Sequence, residues 1–369
     1  MENFEFVLTT KVYFGEGRLR QIGNICGDFQ MKRVMVVSDE HVSKLEPMQE
    51  LLQDLEKAGI QYDTFFEVPS DPDVDTIDRL ADQMKEFQAD GAIAMGGGSP
   101  LDAAKAGCIL QTNPGKAEEY VYGGGKTVAC PGVPLICIPT TAGTGSEITS
   151  VSVLGNHRTL KKASISSDWL KPAAAIVDPV AVKGAPKGVT ASTGMDALTH
   201  AIEAYVCKKA NVFSDMLAEK AISLIGKYLI PSYENGNDME ARANMALAST
   251  FAAMAFAHSG LGAVHGIAQA IGGVAGTAHG ITNAVLLPYV MEANYRGNPE
   301  RYDKIRELLG MEVKDLCRKL SIPEKTGELG VKEEMVPKIL EETMAYRQLA
   351  NNPITITEEL AEKIIRESL

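Results

Sequence analysis

Four side chains in the second half of the chain have the types and spacing of a metal site. Asp196 and His200 are four residues apart in a helix-compatible stretch, and positions i and i+4 lie on the same face of a helix. His265 and His279 follow in a neighbouring segment, each within a His-Gly pair. The chain has only six histidines, and three of them belong to this set. The four residues therefore predict a shell of three nitrogens and one oxygen for a divalent cation.

The chemistry of these ligands narrows the choice of metal. Neutral imidazoles with one carboxylate suit Zn²⁺ or Fe²⁺, whereas Mg²⁺ and Ca²⁺ prefer shells made only of oxygen. The ligand set does not decide between iron and zinc. A histidine on a helix, taken alone, is more often a core or surface residue than a ligand. The prediction therefore depends on the combination of the 196/200 pair with the two His-Gly pairs, where glycine permits close packing beside the imidazole.

A glycine-rich segment in the first half predicts a loop that binds phosphate. The segment GGGSP at 96–100 follows a short apolar run and opens a helical pattern. The glycines let a ligand approach the backbone, Ser99 can cap the helix and Pro100 suits its first position. The helix N-terminus then offers N–H groups to a pyrophosphate. The segment is not the G-x-G-x-x-G fingerprint, and the alternative is a tight strand-to-helix turn without a ligand.

Two other polar positions follow predicted strands and could contact a nucleotide. The turn PTTAGTGSE at 139–147 carries hydroxyls and glycines that suit ribose or phosphate oxygens at the carboxyl end of a strand. Asp39 follows the first predicted strand, where a carboxylate can accept hydrogen bonds from an adenosine ribose and repel a 2′-phosphate. These positions favour NAD as the cofactor. The alternatives are a solvated loop and an ordinary turn residue.

The elements that position these residues differ between the two halves of the chain. In the first half, β-rich runs alternate with helical periodicity, which indicates βαβ units and a mainly parallel sheet covered on both faces. Strands are predicted at 34–38, 61–68, 91–95, 135–138 and 173–178, and helices at 47–58 and 76–88. We therefore predict an α/β N-terminal dinucleotide-binding domain, with a mainly parallel sheet, at residues 1–185.

The second half is rich in alanine and methionine with a period of 3.6 residues, which indicates helices. They are predicted at 195–206, 214–230, 239–258, 263–271 and 282–295, separated by breakers at Pro231, Gly260/Gly262, Gly272/Gly273 and Pro288. We predict an all-α C-terminal domain at residues 186–369 that carries the metal ligands.

Composition excludes several classes of partner. The net charge of −12 and the pI of about 5.1 argue against a nucleic acid, whose binding depends on Lys and Arg. No apolar run reaches the length that spans a bilayer, and the first residues lack the pattern of a signal peptide. The six cysteines show no C-x-x-C spacing. We expect a cytoplasmic protein with reduced thiols and no membrane partner.

Five segments resemble the iron-dependent (group III) alcohol dehydrogenases, in that family's order and over nearly the whole chain. They are GGGSPLDAAK at 96–105, PTTAGTGSE at 139–147, GMDALTHAIE at 194–203, GLGAVHG at 260–266 and HGITNAVLLP at 279–288. The resemblance implies reversible, NAD-dependent hydride transfer between a small primary alcohol and its aldehyde, with a bound metal acting as Lewis acid. It also implies a homodimer.

The resemblance assigns roles to individual residues. The metal ligands would be Asp196, His200, His265 and His279. The cofactor-binding residues would be Asp39, Gly97, Gly98, Ser99, Asp102, Thr140, Thr141 and Lys162.

The chain departs from the family at two places. Gln269 stands where many members have a histidine proposed in proton transfer. His258 is a candidate substitute, because positions 258, 265 and 269 have helical spacing. Glycines interrupt the helix between them, and the alternative for His258 is a packing or helix-end role. At 352–354 the chain has NPI where the family often has NPR. The identity of the alcohol is therefore not predicted.

Two other functions stay open from the sequence. One is a metal- and NAD-dependent lyase or cyclase, because dehydroquinate synthase resembles this architecture. The other is a non-catalytic metal-binding scaffold, which would have a saturated metal shell and no cofactor affinity. Net formation of NADH from simple alcohols would distinguish the dehydrogenase from both.

Overall fold

The chain forms two compact units. The structure is a computed structural model that describes residues 3–156 and 161–369, without the side chains of Asn156, Lys161 and Lys162. The α/β unit comprises Leu8–Thr141 and the described residues of Gly145–Gly184. The helical unit comprises the described residues of Met1–Val7, together with Ala142–Thr144 and Ala185–Leu369. The single boundary predicted after residue 185 thus omits two short segments, one at the start of the chain and one at 142–144, that belong with the helices.

The α/β unit alternates strands and helices along the chain. Its strands are β1 (Lys11–Phe14), β2 (Arg33–Val37), β3 (Gln61–Phe65), β4 (Gly91–Gly96), β5 (Leu135–Pro139), β6 (Val151–Asn156), β7 (Lys161–Ser166) and β8 (Ala174–Val177). Its helices are α1 (Ile22–Asp28), α2 (Glu46–Lys57), α3 (Val74–Phe87), α4 (Gly98–Ile109), α5 (Ala117–Tyr120) and α6 (Pro179–Val182), with 3₁₀ turns at Arg18–Gln21, Val42–Lys44 and Asp168–Leu170.

Six parallel strands form the main sheet of this unit, in the order β1-β8-β5-β4-β2-β3. Both faces are covered, since Met35 and Val37 of β2 belong to one apolar core while Val34 and Val36 belong to another. A parallel strand buried on both faces has a nearly continuous apolar sequence, as β2 does. The prediction of a mainly parallel, doubly covered sheet is confirmed.

Two features of this unit were not predicted. Strand β1 is a short edge strand whose residues are only half-buried or exposed, so its sequence lacks a long apolar run. Strands β6 and β7 form an antiparallel hairpin outside the main sheet. Each hairpin strand is only six residues long, VSVLGN and KKASIS, and mixes apolar with polar side chains, so neither shows the apolar run that marks the strands of the main sheet.

The helical unit contains the metal-ligand candidates. Its helices are α7 (Lys187–Val206), α8 (Val212–Glu234), α9 (Met239–Ser259), α10 (Ala263–Ala275), α11 (His279–Asn294), α12 (Pro299–Leu309), α13 (Val313–Lys319), α14 (Val336–Met344) and α15 (Glu358–Ser368), with 3₁₀ turns at Tyr295–Gly297, Thr326–Leu329, Glu333–Met335 and Arg347–Asn351. Helix α7 is buried along most of its length and is apolar on most sides, as expected for a central helix. In the described part of the chain no single helix is long and apolar enough to span a membrane. Helices α9 and α10 meet that test only as a pair, bent by 101°.

The predicted helix breaks at the two prolines are wrong. Pro231 lies in the last turn of α8, and Pro288 lies in the middle of α11. A proline removes the N–H that would bond the carbonyl four residues earlier. For Pro288 that carbonyl belongs to Ala284, and the thiol of Cys317 lies 3.7 Å from its oxygen as a weak donor. Gly272 and Gly273 also lie inside a helix, since α10 ends only before Gly276 with its left-handed φ of 70°.

Candidate functional site

Helix α7 presents three polar side chains on one buried face. Asp196, His200 and Glu203 are spaced by four and three residues, and each is at most 5% exposed. Burial of polar and charged groups is costly unless they have partners. Their partners come from other segments of the helical unit, and these contacts define the candidate site.

Three of the predicted ligands bring their donor atoms together. The ligand atoms of Asp196, His265 and His279 all lie within 4.8 Å of one another. Asp196 Oδ1 is 3.8 Å from His265 Nε2 and 3.9 Å from His279 Nε2. Helices α7, α10 and α11 each supply one of the three, so residues far apart in sequence face one point.

The fourth predicted ligand, His200, lies beside this group but is not a member of it. Its ring stacks on that of His265 with centroids 4.6 Å apart. His200 Nδ1 lies 3.2 Å from the carbonyl oxygen of Gly143, and a carbonyl only accepts, so Nδ1 carries the proton and Nε2 keeps its lone pair. Burial, with a further contribution from His265, holds the pKa of His200 well below its usual value. His200 is therefore neutral, which is the form that binds a metal.

Glu203 orients His265 and was not predicted as functional. Glu203 Oε2 lies 2.6 Å from His265 Nδ1, and Glu203 Oε1 accepts from the N–H of Val264 at 2.7 Å. Because a carboxylate only accepts, Nδ1 of His265 carries the proton and Nε2 turns its lone pair toward Asp196. The sequence did hold a signal, because Glu203 continues the spacing of Asp196 and His200 on one helix face.

Asn283 lies among the three converging ligands and was also missed. Its Nδ2 is 2.7 Å from Asp196 Oδ1, 3.2 Å from His265 Nε2 and 3.1 Å from His279 Nε2. The side chain is fully buried. Its place four residues after His279 on α11 puts both on the same helix face. That spacing is the sequence signal that could have identified it.

Two glycines permit the close approach of these helices. A Cβ added to Gly280 would lie 2.8 Å from the carbonyl oxygen of Ser192, and one added to Gly266 would lie 2.9 Å from the ring of Tyr346. Both distances are too short for a real side chain. The glycine of each His-Gly pair therefore lets the backbone pack closely beside the histidine, as the sequence indicated.

The donor set fits a divalent transition-metal ion. Glu203 and Gly143 fix the protonated nitrogens of His265 and His200, so the Nε2 lone pairs remain for coordination. Asp196 adds one carboxylate oxygen. Such nitrogen-rich sets bind zinc or iron at about 2.0–2.2 Å and are poorly matched to calcium or magnesium.

The glycine-rich loop of the α/β unit lies between β4 and α4. Gly97 is the N-cap of α4, and no side chain caps the helix. The prediction that Ser99 caps it is wrong, because Ser99 lies inside the first turn and its hydroxyl donates to the carbonyl of Ser70 at 2.7 Å. Gly96 is required by close packing, since an added Cβ would lie 2.6 Å from the ring of Pro100. The uncapped first turn leaves N–H groups for an anion.

Asp102 and Thr140 make their contacts within the α/β unit. Asp102 Oδ1 accepts from the hydroxyl of Ser146 at 2.5 Å, and its Oδ2 accepts from the N–H of Val153 at 2.9 Å. The Thr140 N–H donates to the carbonyl of Gly96 at 2.8 Å. A Cβ added to Gly97 would lie 3.6 Å from Thr141, in ordinary contact. The bond from Thr140 to Gly96 joins the two glycine-rich turns. Asp102 joins α4 to Ser146 of the second turn through one carboxylate oxygen and to Val153 of β6 through the other.

Asp39 lies two residues after the end of β2, so it follows a strand as the sequence indicated. Its Oδ1 accepts from the backbone N–H groups of His41 and Val42 at 2.9 and 2.8 Å, and the side chain is half-buried. One carboxylate oxygen is therefore used in the turn, and Oδ2 has no hydrogen-bond partner among the described residues. Lys162, the remaining predicted cofactor contact, belongs to β7, but its side chain lies outside the described part of the chain.

Comparison with known proteins identifies the family. The iron-containing alcohol dehydrogenase model matches residues 9–179, and the C-terminal model of the Fe-containing alcohol dehydrogenase family matches residues 190–369. The NAD-dependent methanol dehydrogenase of Bacillus methanolicus is 34% identical, with 100% of both chains aligned. The NADPH-dependent butanol dehydrogenase of Clostridium saccharobutylicum is 34% identical over 97% of this chain and 96% of the relative. The chain belongs to the iron-containing alcohol dehydrogenases.

A solved structure shows the same relationship in three dimensions. The crystal structure of a 1,3-propanediol oxidoreductase matches with a TM-score of 0.96 and 33% identity, covering 100% of both chains. The predicted family is confirmed, and the protein is an enzyme of the alcohol dehydrogenase class. This class is favoured over the lyase or cyclase and over the non-catalytic scaffold that the sequence left open.

The contacts of His258 support packing rather than proton transfer. His258 Nδ1 lies 2.7 Å from the carbonyl oxygen of Met254. Its Nε2 lies 3.1 Å from the nitrogen and 3.0 Å from the oxygen of Val7. The ring stacks on Phe6 with centroids 4.1 Å apart. Both nitrogens contact backbone groups. These contacts support the alternative role of His258, that of a packing residue at a helix end.

The segment of the second departure, which has Ile354 where the family often has arginine, also makes structural contacts. Asn352 is buried, and its Oδ1 accepts from the N–H of Ala263 at 3.2 Å while its amide donates to Asn294 at 2.8 Å. Gly297 packs against Ile354, since an added Cβ would lie 2.3 Å from that side chain. The asparagine of this motif therefore holds the start of α10, the helix that carries His265.

Proposed function

We propose that this alcohol dehydrogenase interconverts a small primary alcohol and its aldehyde, reversibly, with NAD(H) and one divalent metal ion, Fe²⁺ or Zn²⁺. The observation that carries the proposal is the convergence of ligand atoms from Asp196, His265 and His279 within 4.8 Å. The family's name supports iron, and the ligand chemistry is equally suited to zinc.

Within this proposal, Asp196, His200, His265 and His279 hold the ion. When bound, the ion supplies Lewis-acid polarisation of an alcohol or carbonyl oxygen, and the nicotinamide accepts or returns the hydride. Glu203 and the Gly143 carbonyl keep the two buried imidazoles in the tautomer that can coordinate. The low pKa of His200 keeps that ring unprotonated through the neutral pH range.

The cofactor is assigned to the α/β unit. We propose that Gly97, Gly98 and Ser99, in the uncapped start of α4, bind the pyrophosphate, with Thr140 and Thr141 on the neighbouring turn. Asp39 would accept a hydrogen bond from the adenosine ribose through Oδ2 and repel a 2′-phosphate. One similar dehydrogenase is NADPH-dependent, so membership of the family does not by itself choose the cofactor. The proposed preference for NAD therefore depends on Asp39 in this chain. The roles of Lys162, the homodimer and the cytoplasmic location stay predictions.

Steady-state turnover tests the proposal. Purified protein loaded anaerobically with Fe²⁺ or Zn²⁺ is assayed against a panel of small alcohols and aldehydes, with NADH and NADPH followed at their absorbance. We expect net, metal-dependent formation of NADH from at least one primary alcohol. Metal-loaded protein that never changes the ratio of NAD to NADH would contradict a dehydrogenase and return the lyase or cyclase to consideration.

His265→Ala tests the site itself. We expect this variant to lose both bound metal and activity while its circular dichroism stays native. His41→Ala, at an exposed histidine of the α/β unit, is the control and should retain both. A His265→Ala protein that remained loaded and active would show that the site is assigned to the wrong residues.

A further inference from the structure

The amide nitrogen of the Asn283 side chain lies among three predicted metal ligands. Its Nδ2 lies within hydrogen-bond distance of three atoms, Asp196 Oδ1 and the Nε2 atoms of His265 and His279. Asp196 Oδ1 and His265 Nε2 are both acceptors. His265 Nδ1 gives its proton to Glu203, which leaves Nε2 with only a lone pair. An NH₂ group has two protons, so Asp196 and one imidazole at a time can be satisfied.

The other end of the amide shows that this orientation has a cost. Asn283 Oδ1 is buried and has no hydrogen-bond partner among the described residues. An unsatisfied buried carbonyl is unfavourable. Turning the amide over would place Oδ1 against the Asp196 carboxylate and the His265 lone pair, which is worse because all three are acceptors. The orientation is therefore set by these ligand atoms and not by the surroundings of Oδ1.

Hydrogen bonding to this amide and coordination of a cation use the same electrons. A neutral imidazole nitrogen has one lone pair, which can accept a hydrogen bond or bind a metal, and not both. The same holds in part for Asp196 Oδ1, whose negative charge attracts either the amide protons or the cation. The Asn283 amide and a metal ion at this site are thus alternatives at Asp196 and His265.

We infer that Asn283 is an internal competitor for the metal. Its amide stabilises the metal-free helical unit by partly neutralising the two buried acceptors, Asp196 Oδ1 and His265 Nε2, and it lowers the affinity of the site for the cation. This inference rests on the metal site proposed above. It assigns Asn283 a positioning role, since the residue acts through the ligands and not on the substrate.

Zinc affinity and thermal stability together test this role. Wild-type protein, Asn283→Ala and Asn283→Asp are stripped with a chelator, titrated with Zn²⁺ against a chromophoric competitor, and melted with and without the ion. We expect Asn283→Ala to bind Zn²⁺ about tenfold more tightly, the equivalent of one lost hydrogen bond to a charged group. Its metal-free midpoint should fall by about 2–4 °C, with a smaller change in the loaded form.

Asn283→Asp preserves the shape of the side chain and replaces the donor with a second carboxylate. We expect it to bind Zn²⁺ more tightly than wild type and to lose more stability than Asn283→Ala when metal-free, because it stands beside Asp196. This variant decides the question if the alanine variant does not fold. Asn113→Ala is the matched control. Asn113 is a buried asparagine of the α/β unit whose side chain bonds the backbone of Ala129 and Cys130, and its loss should lower both midpoints equally without changing zinc affinity.

The outcomes separate this inference from the proposed site. Weaker zinc binding by both Asn283 variants would overturn it, because the amide would then support the ion instead of competing with it. Equal affinities, or equal losses of stability in both forms, would overturn it as well. If His265→Ala binds Zn²⁺ as tightly as wild type, the metal site is wrong and the inference falls with it.

Discussion

Glu203 Oε2 lies 2.6 Å from His265 Nδ1, and both side chains are at most 5% exposed. The second carboxylate oxygen of Glu203 accepts a hydrogen bond from the N–H of Val264. One side chain of α7 therefore fixes both the backbone at the start of α10 and the ring of its histidine. A ligand held in this way needs no reorientation before it coordinates a metal.

Glu203→Gln should weaken zinc binding about 10–100-fold, the usual effect of losing a carboxylate partner of a ligating histidine. A glutamine has one acceptor oxygen in place of two, so it cannot serve Val264 and His265 together. A competitive zinc titration measures the change. Glu219→Gln, at a helix carboxylate bonded to Tyr205, is the control. Unchanged affinity in Glu203→Gln would show that the contact does not orient the ring.

Gly280→Ala should lower metal affinity, because its Cβ would press on the Ser192 carbonyl and push the start of α11 away from α7. Overpacking of this kind costs about 1–3 kcal/mol. Gly273→Ala is the matched control, since this helical glycine has no atom within 4 Å of an added Cβ. The control should gain about 0.5–1 kcal/mol of helix stability. Chemical denaturation and zinc titration of both variants would measure the difference, and equal behaviour would refute the packing argument.

Asp39→Gly should raise the activity with NADPH relative to NADH by about tenfold or more, because it removes a charge that would repel a 2′-phosphate. The ratio of kcat/KM for the two cofactors measures the shift. Glu40→Gln provides a control, because Glu40 is the next residue, is exposed and pairs with Lys44. A wild-type protein that already prefers NADPH would contradict the role given to Asp39.

The metal-free protein should lose stability as the pH falls below about 6.5, the ordinary pKa of histidine. The pKa of His200 is lowered in the folded state by burial. Between that lowered value and 6.5 the unfolded chain binds one proton more than the folded chain, so the free energy of unfolding decreases as pH decreases. The slope from one such group is at most about 1.4 kcal/mol per pH unit. Urea denaturation of wild type and His200→Gln between pH 7.5 and 5.5 would reveal it, and a variant with the same slope as wild type would argue against this origin.

The sequence predicted best those features that depend on the residue pattern of a single strand or helix. The doubly buried strand β2 and the long helix α7 were predicted because burial on both faces or on all sides leaves an apolar sequence. The ligand candidates were found from their chemical type and from an i, i+4 spacing. Even so, spacing did not reveal that His200 stacks beside the group and that only Asp196, His265 and His279 form it.

What the sequence missed depended on partners distant in the chain. Glu203 and Asn283 are ordinary polar residues until the fold brings them to His265, 62 and 18 residues away. Pro288 was predicted to be a helix breaker, because proline lacks an N–H. That the freed Ala284 carbonyl lies beside the thiol of Cys317 cannot be inferred locally. The proposed cap at Ser99 failed for the same reason, since its hydroxyl bonds Ser70.

The beginning of α10 is assembled from distant parts of the polypeptide. The N–H of Leu261 donates to Gln348, 87 residues later, and that of Ala263 donates to Asn352, 89 residues later. During synthesis, therefore, His265 leaves the ribosome long before the side chains that secure its helix exist. We expect metal to be acquired only after residues 348–352 have been synthesised, so truncation before residue 348 would yield a product that accumulates without iron or zinc.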